Sequence, residues 1–261
     1  MILLVSDALI ALLATSVVAS SVFVTLRAWK GRWEKRKQIE TGLLGRELGL
    51  SAVPDHSLGL TRQLQAFDLF ARERSSWFRN GRVTNILRGQ VNGTDMYLFD
   101  YTYVVSTGKS SHRVTQTVFF ANDKDWYLPD FRLKPETWWH KILAAIGWES
   151  DINFSESPEF SEKFRLTSEF EELIRKQFTP DLQAFLTERP PTHIEGSNYY
   201  LIAYKPNKVL SPEDARGFFK HCCDLVVMLK KDGKTELLDL AEMKNSAKSE
   251  VGSSKVLQHR K

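Results

Sequence analysis

The pattern of apolar positions opens on an unbroken run. From Ala8 to Leu26 the chain carries no charged residue, close to the roughly 20 positions that a helix needs to cross a hydrocarbon core. Thr15, Ser16, Ser20, Ser21 and Thr25 are the polar interruptions, and their hydroxyls can bond back to helix carbonyls. The run is apolar all round, unlike an amphipathic core helix. Its basic residues follow rather than precede it, unlike those of a cleaved signal peptide. Residues 1–26 are therefore expected to form a single transmembrane anchor. Arg27, Trp29, Lys30, Arg32, Trp33, Lys35, Arg36 and Lys37 then make a basic, tryptophan-bearing collar of the kind found at a membrane interface. Positive charge stays on the cytoplasmic side, so the amino terminus is expected outside and the bulk of the chain in the cytoplasm, on the plasma (inner) membrane. The collar either sets this topology or also attracts anionic lipid.

Beyond the collar the pattern becomes helical, with Leu43, Leu44, Leu48 and Leu50, a turn over residues 51–57, and a short helix from about Leu60 to Phe70. Residues 27–79 read as a juxtamembrane and helical connector to a globular domain over 80–240. After a turn at Asn80-Gly81 the period drops to two. Val83 to Gln90 reads as a strand, Asn92-Gly93 as a tight hairpin turn, and Thr94 to Val105 as the return strand. Met96, Leu98, Asp100, Thr102 and Val104 alternate there with Tyr97, Phe99, Tyr101, Tyr103 and Val105, which fits a sheet with one buried face. Val114 to Ala121 completes a meander. Leu128 to Leu133 is a short extended piece broken by Pro129, and Pro135 is expected to open a helix carried by 138–146, with short extended pieces at 152–154 and 164–166. Ser168, with Glu171 three residues on, reads as a capping box for a helix to about Phe178. A second helix runs from Pro180 to Thr187. Residues 192–195 and 199–204 form a second hairpin around Gly196-Ser197-Asn198, and Ser211-Pro212 starts a helix reaching about Lys231. Residues 241–261, rich in Lys, Ser and Glu, are expected to be a disordered tail. The fold class is α+β: a mostly antiparallel sheet covered by helices, preceded by one transmembrane helix.

Charge and cysteine content narrow the functional classes. The formal net charge is +4, and the collar, with six basic residues against Glu34, exceeds it alone. The remainder is near neutral, which argues against nucleic acid as a partner. The two cysteines, Cys222 and Cys223, are adjacent and offer no disulfide framework, as expected in a reducing compartment.

Few residues carry the spacing of a site. His221-Cys222-Cys223 lacks a second ligand pair, and consecutive helical residues cannot converge on one metal ion; Cys222 reads as a small core residue. Residues 122–126 lack the glycine and terminal glutamate of a calcium loop, and no phosphate-binding glycine motif occurs. No metal or cofactor is expected. Asp100, a carboxylate among strand aromatics, and Glu136, at a helix start, remain candidate functional residues. Trp138-Trp139 read as core.

Gly81, Asn85, Leu87 and Gly89, then Leu98-Phe99-Asp100-Tyr101-x-Tyr103, Thr117-Val118, Leu128-Pro129-x-Phe131-x-Leu133-x-Pro135-Glu136, Asp151-Ile152, Pro158-Glu159-Phe160-Ser161 and Phe164-x-Leu166 form a set of motifs. Together they resemble a family of uncharacterised bacterial single-pass membrane proteins, over about Gly81 to Tyr204. The resemblance implies the anchor-plus-cytoplasmic-domain layout and no particular activity. The expected function is a membrane-anchored cytoplasmic interaction or scaffold module with a protein partner. The alternatives are a pleckstrin-homology-like module for lipid or peptide, and an enzyme whose site is assembled from scattered carboxylates such as Asp100 and Glu136.

Overall fold

A computed structural model describes residues 40–54, 58–71, 78–106, 109–136, 151–190 and 192–231. The apolar run, the basic collar, the expected helix over 138–146 with Trp138 and Trp139, and the expected tail lie outside the described residues. Among the described residues, no helix is long and apolar enough to cross a membrane.

The elements are α1 (residues 40–47), β1 (Ser51–Val53), α2 (Leu58–Leu64), α3 (Asp68–Ala71), β2 (Phe78–Val91), β3 (Thr94–Ser106), β4 (Ser111–Asn122) and β5 (Leu128–Pro135). There follow α4 (Pro158–Lys163), β6 (Phe164–Thr167), α5 (Glu171–Gln177), α6 (Pro180–Thr187), β7 (His193–Asn198), β8 (Tyr200–Tyr204) and α7 (Pro212–Lys231). All eight strands join one antiparallel sheet in the order β1-β2-β3-β4-β8-β7-β5-β6. The α+β class and the antiparallel meander stand as expected.

Turn chemistry explains the most regular part. Asn92 and Gly93 both have positive φ, 51° and 84°, as a two-residue primed turn between β2 and β3 requires. The β2 strand starts at Phe78, earlier than expected, because Asn80-Gly81 is not a turn but a break in register between Arg79 and Arg82. The turn expected at residues 51–57 likewise begins with β1, a three-residue edge strand paired to β2. The α1 helix ends in a Schellman motif: Gly49 has φ 70°, its N–H donates to Arg46 O at 3.3 Å, and Leu50 N–H donates to Gly45 O at 2.7 Å. Leu44 and Leu50 flank this turn and are buried in the core. Within the stretch read from sequence as connector, α1, β1, α2 and α3 pack on or pair with this sheet.

The β5 strand is a full member of the sheet. Pro129, which seemed to break it, sits in the register irregularity between Leu128 and Phe131, where the missing N–H is tolerated. Ser168 is not a helix cap. Its hydroxyl donates to Asp130 O at 2.6 Å and accepts from Phe170 N–H at 3.0 Å, and α5 starts at Glu171 without a side-chain cap. The α6 and α7 starts do follow their sequence signals. Thr179 Oγ1 accepts from Leu182 N–H, and Ser211 Oγ from Asp214 N–H at 3.1 Å, each just before a proline at the first helical position.

The sheet buries both faces, not one. The first face carries Met96, Leu98, Phe119, Ala121, Phe131, Leu133 and Ile194 under α1, α4, α5, α6 and α7. The second carries Ile86, Tyr97, Phe99, Tyr101, Val118, Phe120 and Ile202 under α2 and α3, through Leu60, Leu64, Phe67 and Phe70. The α7 helix lies along the first face, with Phe219 edge-on to Phe119 and Lys230 reaching Asn92 O.

His221, on α7, stacks on Phe185 of α6 with ring centroids 5.0 Å apart. Burial, then the nearby Arg189, push its imidazole down to about 4, against an opposing pull from Asp224. The unfolded chain therefore binds more protons than the folded one between about pH 6.5 and 4, so this stabilisation is complete above the former and lost toward the latter. Once solvent screening of this half-buried group is allowed for, the loss is on the order of 1–2 kcal/mol. His221→Phe is expected to keep the stack and flatten the wild-type fall in stability across that window, read as the difference between two urea-denaturation series. Parallel curves would refute the assignment.

Candidate functional site

The second face changes character halfway across the sheet. Strand registers align Tyr97, Phe120, Ile202, Glu195, Arg132 and Thr167 in one row from β3 to β6. The first three lie in the apolar core under α2 and α3; the last three are polar. The side-chain alternation of period two places Glu195 and Ser197 of β7, and Asp130 and Arg132 of β5, on this same face. The two short helices cover only the apolar half. Beside them the polar half opens as a cavity of about 420 Å³, also lined by Ala66, Phe67, Asp68, Phe131, Thr167, Ser168, Glu169 and Gly196.

Glu195 is its innermost charge, 4% exposed. Tyr204 Oη donates to Glu195 Oε1 at 2.9 Å, and Oε2 takes no hydrogen bond among the described residues. Burial raises the pKa of this carboxyl, the Tyr204 hydrogen bond opposes the rise, the charge of Asp68 adds to it, and Lys134 and Arg132 pull it down; the outcome is above the ordinary carboxyl value. At the mouth, Arg132 Nε meets Asp68 Oδ2 at 2.8 Å. Ser197 Oγ donates to Asp130 Oδ1 at 2.7 Å and fixes that carboxylate against the end of β7. Among the described residues, the wall thus holds Asp68, Asp130, Glu169 and Glu195 against one arginine already engaged by one of them. A cavity with that lining attracts positive charge and repels anions.

The residues singled out from sequence lie elsewhere. Asp100 is buried on the first face, accepting from Asn85 Nδ2 at 2.8 Å and Thr117 Oγ1 at 2.9 Å. Asn85 reaches it from the irregularity in β2, with φ 55°. Thr117 Oγ1 also accepts from Leu210 N–H at 3.0 Å, so Asp100 ties three strands to the loop leading into α7. Its crevice measures only about 90 Å³. Glu136 follows β5, its N–H donating to Lys163 O at 2.8 Å, and lines a different, wide cleft with Asp151, Arg165 and Arg175. There burial raises the pKa of Asp151, against hydrogen bonds from Leu166 N–H and Ile152 N–H and the charge of Arg165. Among the described residues, Asp100 and Glu136 thus line different cavities. Cys222 is fully buried in the core, as read, and Cys223 Sγ lies 3.6 Å from Met96 Sδ. Glu195, Asp68, Asp130 and Arg132 were not legible as a site, because three separate segments, β7, α3 and β5, supply them with no common spacing. The one local signal is a glutamate alternating with Ile194 in a strand.

No family model, curated protein or solved structure matches this chain.

Proposed function

We propose that this protein is a membrane-anchored cytoplasmic interaction module that receives a protein partner at the second-face cavity. The observation that carries the reading is Glu195, a largely buried carboxyl facing a cavity large enough for a partner's side chain. A largely buried acid that takes one side-chain hydrogen bond and turns its other oxygen toward a cavity supports a binding role for that cavity. The anchor rests on the charge-free run from Ala8 to Leu26 and its basic collar, and the resemblance to bacterial single-pass membrane proteins agrees with it.

The test is photo-crosslinking of the full chain in native membranes. A photoreactive residue at Thr167, on the cavity wall, is expected to give a discrete adduct. The same residue at Val227, 54% exposed on α7, serves as the control. Equal labelling from both positions, or none from Thr167, would sink the proposal. The membrane placement is tested separately, since added protease should not reach the body in whole spheroplasts.

A further inference from the structure

We infer that the second-face cavity binds an organic cation, a guanidinium or ammonium group on an apolar stem, with Glu195 as its innermost counter-charge. The inference rests on the reading of this cavity as the module's binding site and adds the chemistry of what enters it. Three features point the same way. First, Glu195 lies 4% exposed at the cavity floor with Oε2 uncommitted among the described residues, and an incoming N–H donor would supply the missing bond. Charge-assisted pairs of this kind are the strong ones. Second, among the described residues the rim gives Glu195 no such donor: Arg132 is held by Asp68 at 2.8 Å, Lys134 acts on Glu195 through its charge without a hydrogen bond, and Asp130 and Glu169 add further negative charge. Third, Phe67 contributes to the wall beside these carboxylates, which suits a methylene stem better than a bare metal ion. Among the described residues, no three acidic, histidine or cysteine side chains stand together as metal ligands.

The shared chemistry comes from two sources, a lysine or arginine side chain of a protein partner or a free small amine. Isothermal titration of the detergent-solubilised full chain with agmatine, with an arginine-containing hexapeptide and with butyrate separates them. Agmatine or the peptide is expected to bind, and butyrate is not. Tighter binding by the peptide identifies a partner's side chain, and tighter binding by agmatine identifies a free amine. Glu195→Gln is expected to weaken binding at least about tenfold, the scale of losing one charged partner of a desolvated pair. Should that variant unfold, Glu169→Arg, at an exposed position on the rim, is expected to weaken it about threefold or more without threatening the fold. Binding that neither variant alters, butyrate binding as well as agmatine, or no binding of either cation would overturn the inference. If Thr167 crosslinks a partner while neither cation binds, the docking reading survives and the cation assignment fails.

Discussion

Asp123→Ala is expected to lower folding stability by about 1–3 kcal/mol, the scale of leaving buried hydrogen-bonding groups without their charged acceptor. The carboxylate is 2% exposed in the turn after β4. Lys230 Nζ lies 2.5 Å from its Oδ2, Thr94 Oγ1 donates to the same oxygen at 2.6 Å, and Asp125 N–H donates to Oδ1 at 3.0 Å. Thr94 is fully buried, so alanine would leave its hydroxyl without this acceptor. Lys230 also donates to Asn92 O at 2.8 Å. One side chain thus joins the end of α7 to the β2–β3 hairpin and the turn after β4. Burial raises the pKa of Asp123, but the hydrogen bonds from Lys230, Thr94 and Asp125 N–H, with the lysine's charge, outweigh it and leave the carboxyl below its ordinary value. The folded pKa being the lower one, this stabilisation is present above about pH 4 and is lost as pH falls through the folded value. Asp123→Asn keeps the shape and is expected to lose about half as much as alanine, having surrendered charge but not every acceptor. Urea unfolding of the full chain measures all three proteins. A loss under 1 kcal/mol for the alanine variant, on a scale where surface substitutions change little, would show that the cluster is not under stress when opened.

Phe131→Ala is expected to cost about 3–5 kcal/mol, because the ring fills a site that cannot collapse. Phe131 is held edge-on by Phe178, centroids 5.2 Å apart at 89°. On its other side it lies against the backbone of Gly196, where a Cβ would stand 2.2 Å from the ring's Cε1. The glycine is thus required by proximity, and Gly196→Ala is expected to cost about 1–3 kcal/mol by overpacking. Combining Gly196→Ala with Phe131→Leu should recover part of that cost, with a coupling of about 1 kcal/mol or more between contacting sites. Strict additivity would mean that the ring yields freely. The pair also sits under the cavity, so the glycine variant is expected to distort the floor beside Glu195.

The parts of the fold legible in sequence are those written locally. Asn92-Gly93 between two alternating runs specifies the β2–β3 hairpin, and Ser211-Pro212 ahead of an apolar stripe specifies α7. The other strands depend on distant partners. β1, with three residues, falls in a stretch read as a turn, whereas the extended piece read at 164–166 is β6 but gave no hint of its partner β5. The aromatic row Tyr97, Phe99 and Tyr101 was read correctly as one side of β3. That both sides are buried depends on Leu60, Leu64 and Phe67, which lie before the strand and reveal their cover only once folded. The site was least legible, since Glu195, Arg132 and Thr167 become neighbours only through the registers of β7, β5 and β6.

The seating of α1 has a mechanical consequence. Its glycine-ended turn leads straight into β1, which is joined to β2 by three residue pairs, Ser51 with Arg88, Ala52 with Leu87 and Val53 with Ile86. β3 and β4, by contrast, share twelve. Tension drawn through the amino end would unzip the short outer ribbon one rung at a time, while the long central ladder, pulled along its length, resists as a unit. The first force-extension event should therefore be small and should release the stretch up to Val53, with the remaining seven strands still folded.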